Sequence, residues 1–237
     1  MAGMGVTLHA QRFSSGPARA ALIELYTSEG CSSCPPAERW LGALRDQSGL
    51  WRDFVPVEFH VNYWDRLGWP DRFATHEFTQ RQYDYSAAWG AGSVYTPCFV
   101  RNGAEWRTGP DLRDTSGAAP GVLVVVLERD GHCRAQFKPA GTTAGPRTAY
   151  EVHVAWLGGG VASRVTAGED RGETLHHEFV VQALASRDLA PADDGLRAEL
   201  ILPRPAENSA PRRALAAWVT RRGELTPVQA TGGWVQE

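Results

Sequence analysis

Two cysteines placed between a short apolar run and a helical pattern constrain this chain more than any other feature. Residues 20–27 are apolar and rich in β-formers, which predicts a buried strand. Cys31 and Cys34 follow a Ser-Glu-Gly turn, and two prolines then mark the first turn of a helix. Apolar residues recur along residues 37–44 at the spacing of one helical face. The local order is therefore strand, CxxC turn and helix.

The start of a helix is a position that suits a redox-active dithiol. Unpaired N–H groups and the partial positive charge of the helix N-terminus favour a thiolate and lower the pKa of the first cysteine. Cys31 would be the exposed, attacking sulfur, and the more buried Cys34 would resolve the mixed disulfide. A zinc site needs four ligands, and the sequence has no second CxxC and no matched histidine pair. A metal-binding dithiol and an inert pair stay open.

A proline near the start of a later strand is the second feature. Residues 94–100 predict a strand that contains Thr96 and Pro97. Proline cannot donate a ladder hydrogen bond, so its place in a strand requires a reason. A trans proline on an edge strand is one explanation, and a proline that borders the CxxC motif is the other.

Four blocks of sequence together resemble a known family. They are residues 23–38 (IELYTSEGCSSCPPAE), residues 60–69 (HVNYWDRLGW), Tyr95-Thr96-Pro97 with Arg101-Asn102-Gly103, and residues 167–172 (AGEDRG) with Leu175 and Val180-Val181. The chain resembles, over roughly residues 20 to 235, the thioredoxin-like bacterial family catalogued as domain of unknown function 1223.

The resemblance implies an architecture and a site. It implies an α/β thioredoxin-like N-terminal domain followed by a β-rich, sandwich-like C-terminal domain. A thioredoxin-like domain would hold the Thr96–Pro97 bond in the cis form against Cys31, where it presents a substrate backbone. The family implies no assigned substrate, and its members are usually exported.

Sequence patterning supports a change of character between the halves. Short alternating strands follow residue 121, for example Tyr150, Val152, Val154 and Trp156, and Gly-rich turns separate them. We therefore expect a thioredoxin-like domain over residues 18–115 and a β-rich domain over residues 120–237.

Further residues are candidates for the same site. Glu24, on the strand before the CxxC motif, could relay protons to Cys34 if it points inward, or it could be a solvated edge residue. Cys98 follows Pro97 and could bind substrate or trap a disulfide, although a buried small apolar role is the simpler interpretation.

The segment after the second predicted strand is dense in aromatic residues. Tyr63, Trp64 and Trp69 could line a substrate groove or simply order the loop. His60 could transfer protons or bind a soft metal, or it could be a packed histidine. His176 and His177 alternate along a strand and so face opposite ways, which disfavours a shared metal site.

Composition limits the partners. The net charge of −3 and the absence of a basic stripe disfavour nucleic acid. No apolar run reaches the roughly 18 residues of a membrane helix. The first ten residues lack a basic and apolar leader, so the periplasmic or secreted location that the resemblance implies stays open against a cytoplasmic one.

These observations favour a thiol–disulfide oxidoreductase that acts on a disulfide-containing protein or a small thiol. Its catalytic residues would be Cys31, Cys34, Thr96, Pro97 and Glu24, and no cofactor is expected besides the Cys31–Cys34 disulfide. The alternative is a non-enzymatic module that binds a partner, or that binds Cu(I) through Cys31, Cys34 and either Cys98 or His60.

Overall fold

The apolar segment before the CxxC motif forms a strand that is buried along its whole length. The computed structural model describes residues 10–107, 112–141, 149–205 and 210–236. It begins with strand β1 (Gln11–Ser14), and the fully buried strand β2 (Ala21–Thr27) follows. Helix α1 (Pro35–Ala43) comes next, with Cys34 at its N-cap position. A 3₁₀ turn (Leu44–Asp46) leads from α1 into the second half of this unit.

A second strand and helix complete the surroundings of the CxxC motif. Strand β3 (Phe54–His60) is parallel to β2, and a 3₁₀ turn (Asn62–Leu67) follows it. Helix α2 (His76–Trp89) starts at Thr75, whose Oγ1 accepts a hydrogen bond from Phe78 N, and ends at Gly90 in the left-handed conformation.

The remaining elements are all strands. Strand β4 (Cys98–Arg101) is antiparallel to β2, and β5 (Ala104–Glu105) pairs with β4. The described part of the second half adds β6 (Gly121–Leu127), β7 (His132–Pro139), β8 (Tyr150–Gly159), β9 (Val161–Arg164), β10 (Thr174–His177), β11 (Val180–Ala192), β12 (Gly195–Ile201), β13 (Arg212–Arg221) and β14 (Pro227–Trp234).

One mixed sheet takes strands from both halves of the chain. Twelve strands belong to it, and β9 and β10 form a separate pair. Strand β11 is the link, because it pairs with β8 and β12 and also runs parallel to β3. At that junction Glu58 N donates to Phe179 O at 2.9 Å. The main core likewise combines residues of β2 and β3 with residues of β8, β11 and β13.

The predicted α/β thioredoxin-like N-terminal domain is wrong. Strands account for 45% of the structure and helices for 15%, and the large mixed sheet contains β2, β3 and β4 as only three of its strands. The physical reason is the edge of β3, which bonds to β11 instead of ending a self-contained layer. Hydrophobic patterning shows which face of a strand is buried, but it does not show which distant strand covers its edge.

An irregular connection separates two strands whose apolar residues form one alternating pattern in the sequence. Residues 175–181 predict one strand, but β10 ends at His177 and β11 begins at Val180, with Phe179 at φ 62° between them. Within β10, His176 is exposed and His177 is buried, so the two histidines face opposite ways as predicted. The irregular connection directs His177 toward β3, which matters for the site described below.

No helix in the described residues is long and apolar enough to cross a membrane. The proposed division into residues 18–115 and 120–237 stays a prediction. Part of its boundary, residues 108–111, and the first nine residues of the chain lie outside the described residues.

Candidate functional site

Cys31 and Cys34 form a disulfide at the N-terminus of α1. Their Cα atoms are 5.5 Å apart. Successive turns shape the segment, because Cys31 N donates to Ser28 O and Cys34 N donates to Cys31 O. Both cysteines are fully buried, whereas the two serines between them are exposed. The expected difference in exposure between an attacking Cys31 and a buried Cys34 is therefore not seen in this disulfide form.

The amide N–H groups at the N-terminus of α1 are not available to Cys31, contrary to the expectation from sequence. Pro35 and Pro36 have no N–H, and the amides of Ala37 and Glu38 both donate to Cys34 O. These first-turn groups of α1 are therefore not free to solvate a thiolate. The polar groups nearest Cys31 Sγ are hydroxyls, with Thr96 Oγ1 at 3.2 Å and Ser33 Oγ at 3.3 Å.

The Thr96–Pro97 segment lies against Cys31. The peptide bond is cis, as predicted, and Thr96 O is 3.8 Å from Cys31 Sγ. Trp64 Nε1 donates to Thr96 Oγ1 at 2.8 Å and so fixes the hydroxyl that faces the sulfur. Trp64 is thus the aromatic residue that is linked to the disulfide through one side chain, that of Thr96.

The other predicted substrate-binding residues lie around this centre. Trp69 Nε1 donates to Glu29 Oε2 at 2.8 Å, two residues before Cys31. Tyr63 OH donates to Gln82 Oε1 at 3.3 Å. Cys98 is buried on β4, where burial raises the pKa of its thiol to about 11. The role of these residues in substrate binding stays a prediction.

A loop from the second half of the chain contacts one of the two exposed serines. Glu169, between β9 and β10, accepts hydrogen bonds through Oε2 from Ser32 Oγ (2.8 Å) and Ser32 N (3.2 Å). These bonds lower the pKa of the Glu169 carboxyl. Glu169 itself is exposed to solvent. Local sequence patterns do not reveal this contact, because the partners are separated by 137 positions.

The predicted acid Glu24 is buried but faces partners other than the cysteines. Arg81 Nε donates to Glu24 Oε2 at 2.8 Å, Tyr26 OH donates to the same oxygen at 2.9 Å, and Tyr85 OH donates to Oε1 at 2.6 Å. Both carboxylate oxygens are satisfied. A role of Glu24 in proton transfer stays a prediction.

Glu38 is a buried acid in the first turn of the helix that follows the cysteines. It lies one helical turn after Cys34 on the buried face of α1, and its Oε1 accepts from Thr27 Oγ1 at 2.6 Å. Burial raises the pKa of Glu38 to about 7. The spacing of four residues from Cys34 is a signal that could have identified it from sequence.

Glu38 belongs to a buried cluster of carboxylates and imidazoles. The other members are Glu29, Glu58, His60, Asp71 and His177. Burial opposes charge on His60, but Asp71 (2.7 Å from Nδ1) and Glu58 (2.9 Å from Nε2) raise its pKa well above the ordinary value. Burial also opposes charge on His177, and hydrogen bonds to Glu29 and Glu58 raise its pKa to about 10. Sequence analysis treated His60 and His177 separately, whereas the structure brings their rings to 5.0 Å.

The Cu(I) ligand set considered above is not assembled in this form. Among the described residues, the only group of three potential metal ligands is Glu58, His60 and His177, and it contains no cysteine. The soft-metal interpretation therefore stays a prediction.

Comparison with known proteins identifies the family. A family model described as "Protein of unknown function (DUF1223)" matches residues 22–220, so the chain belongs to this family. The match confirms the family resemblance. It does not confirm the thioredoxin-like description, and the oxidoreductase class expected from that description has no support in it. No curated protein matches the chain.

Two solved structures share the fold. One is the crystal structure of a protein from Agrobacterium tumefaciens, with 24% identity, a TM-score of 0.62, and coverage of 92% of this chain and 94% of that one. The other is HBP35 of Porphyromonas gingivalis, with 15% identity, a TM-score of 0.62, and coverage of 91% of this chain and 75% of that one. At these identities they are similar in fold alone.

Proposed function

We propose that the protein carries out thiol–disulfide exchange through Cys31 and Cys34. The observation that carries the proposal is the Cys31–Cys34 disulfide with the Thr96 hydroxyl 3.2 Å from Cys31 Sγ. A hydroxyl at that distance can donate a hydrogen bond to a Cys31 thiolate once the disulfide opens. The substrate would be a disulfide-containing protein or a small thiol.

The exchange balances over two steps. The Cys31 thiolate attacks a substrate disulfide, forms a mixed disulfide and releases one substrate thiolate. The Cys34 thiolate then attacks Cys31 Sγ, which forms the intramolecular disulfide and releases the second substrate sulfur. The substrate disulfide is reduced, the Cys31–Cys34 pair is oxidised, and the reverse sequence transfers the disulfide to a substrate dithiol. A protein with this role suits an oxidising compartment, in line with a periplasmic or secreted location.

Access to the sulfurs is part of the proposal. Both cysteines are fully buried, and Glu169 is hydrogen-bonded to Ser32 directly between them in sequence. Release of Ser32 from Glu169 would free the exposed side of the CxxC turn. We therefore treat the Glu169 loop as a cover on the disulfide.

Trapping experiments test the roles of the two cysteines. With Cys98 and Cys133 replaced by alanine, Cys34→Ser should form a stable adduct with oxidised glutathione, because attack survives and resolution does not. Cys31→Ser in the same background should form none. Mass spectrometry reads the adduct. An adduct on Cys31→Ser alone would reverse the assignment, and the absence of adducts on both variants would contradict the proposed exchange.

A further inference from the structure

We propose that Glu58, His60 and His177 form a buried binding site for one divalent transition-metal ion, with Glu38 as the fourth ligand. The site is separate from the disulfide and does not depend on the proposed exchange. Glu58 and His60 lie two residues apart on the same face of β3. His177 is the last residue of β10, just before the irregular connection to β11. All three residues are fully buried, and one ligand atom from each lies within 4.8 Å of the others.

The central carboxylate already spans the two rings. Glu58 Oε1 is 2.9 Å from His60 Nε2 and 3.0 Å from His177 Nδ1. A tetrahedral zinc ion with bonds of about 2.0 Å sets its ligand atoms about 3.3 Å apart. Each imidazole nitrogen would therefore need to move away from Glu58 Oε1 by only a few tenths of an ångström to accept a metal.

Each imidazole has a second carboxylate behind it. Asp71 Oδ2 is 2.7 Å from His60 Nδ1, and Glu29 Oε1 is 3.4 Å from His177 Nε2. Asp71 is itself held by the backbone amides of Glu29 and Phe73. A carboxylate that fixes the far nitrogen of a metal-binding histidine is the usual outer arrangement of protein metal sites, because it orients the ring and raises its basicity.

An unpaired buried atom provides an independent observation. Within the described residues, Glu58 Oε2 has no hydrogen-bond partner, although the Glu58 side chain is fully buried. Burial of such an atom without a partner costs free energy, so it requires a ligand, water or ion to explain it. Glu58 Oε2 belongs to the carboxylate at the centre of the group, where a cation would use its free lone pairs.

The donor set selects the kind of metal. Two imidazoles and a carboxylate suit Zn²⁺, Fe²⁺ or Mn²⁺, whereas Mg²⁺ and Ca²⁺ prefer oxygen ligands alone. Glu38 Oε2, 3.6 Å from His177 Nδ1, supplies a second carboxylate and would close a four-coordinate site. Ligation requires neutral imidazoles, so the ion would replace a proton on each ring.

The position in the fold indicates a structural ion. The ligands join β3 and α1, from the first half of the chain, to the end of β10 in the second half. A closed site without solvent access does not offer an open coordination position to a substrate. Metal binding would therefore hold the CxxC helix against the loop that carries Glu169.

Metal content tests the proposal on the full chain. The protein, folded in the presence of Zn²⁺ and dialysed, should retain about one zinc ion per chain by plasma mass spectrometry. His177→Gln should retain less than about a tenth of that amount, because it removes a ligand from a closed site. His176→Gln is the matched control, since the adjacent histidine is exposed, and it should retain the full amount.

X-ray absorption at the zinc edge of the wild-type protein keeps the test decisive if His177→Gln does not fold. Nitrogen and oxygen neighbours with an imidazole signature, and no sulfur, are expected. A wild-type protein that holds no zinc, a sulfur ligand, or full zinc retention by folded His177→Gln would each overturn the proposal.

Discussion

Two buried carboxylates on neighbouring strands differ in how completely their oxygens are paired. Glu24 on β2 has hydrogen-bond donors on both oxygens, from Arg81, Tyr26 and Tyr85. Glu58 on β3 receives both imidazoles on Oε1 and leaves Oε2 without a partner among the described residues. A buried charge that is fully satisfied is part of the architecture, whereas one with free lone pairs is available to a ligand.

The same comparison explains why residue type alone misplaces function. Both are glutamates inside apolar strand patterns, and sequence analysis selected Glu24 because it precedes the CxxC motif. The deciding information is the set of donors around each carboxylate, and the distant members of that set come from α2 for Glu24 and from β10 for Glu58. Variants of the satisfied group should therefore change stability more than they change exchange at the cysteines.

The largest expected effect is on stability, at the Glu24–Arg81 pair. The side chain of Glu24 is fully buried and that of Arg81 is 10% exposed, so removal of either partner leaves an unpaired buried charge. Arg81→Met or Glu24→Gln should each lower the free energy of unfolding by about 3–5 kcal/mol in urea titrations. The double variant should lose clearly less than the sum of the single losses.

Disulfide exchange provides the second readout for this pair. If Glu24 is architectural, reduced Glu24→Gln that is still folded should form its Cys31–Cys34 disulfide with oxidised glutathione at the wild-type rate. Single losses of less than about 1 kcal/mol would show that the pair is not a buried charge pair. A large fall in the rate of Cys31–Cys34 disulfide formation in folded Glu24→Gln would restore the proton-transfer role considered from the sequence.

A smaller effect is expected at a buried histidine whose hydrogen-bond partners are neutral hydroxyls. His153 on β8 lies between Ser186 Oγ (2.7 Å) and Thr220 Oγ1 (3.0 Å) and stacks on Trp218. Burial, with Arg81 nearby, lowers the pKa of His153 to about 3. This buried histidine therefore stays neutral, in contrast to His60 and His177, which lie among carboxylates.

The sign of its pH dependence follows from the lowered pKa. The unfolded chain takes up a proton on His153 near pH 6.5, and the folded chain does so only near pH 3. Its contribution to stability is complete above pH 6.5 and is lost as the pH falls, by about 2 kcal/mol at about pH 5. Urea unfolding between these pH values should show a shallower decline for His153→Gln than for wild type. Parallel declines would contradict the neutral state of His153.

Local features of the fold were predictable from sequence because they depend on neighbouring residues. The helix after Cys34 and the end of α2 at Gly90 each follow from a short motif, whereas the cis bond at Thr96–Pro97 was implied by the family resemblance. The pairing of β3 with β11 and the meeting of His60 with His177 depend on contacts more than 100 positions apart, which single-strand patterning does not encode. The irregular connection at Phe179 was also missed, because apolar alternation continues through it.

The smallest expected effect concerns the exposed carboxylate of Glu169. It distinguishes a residue that limits access to the disulfide from buried residues that stabilise the fold. Its two hydrogen bonds to Ser32 are its contacts with the CxxC turn, and an exposed residue contributes little to global stability. Glu169→Ala should therefore leave the unfolding midpoint unchanged but speed reduction of the Cys31–Cys34 disulfide by dithiothreitol a few-fold, because release of Ser32 opens the turn more often. Glu173→Ala, an exposed change in the same loop, is the control and should reduce at the wild-type rate. Equal rates in all three proteins would show that the Glu169 loop does not limit access, and that the disulfide opens by another movement.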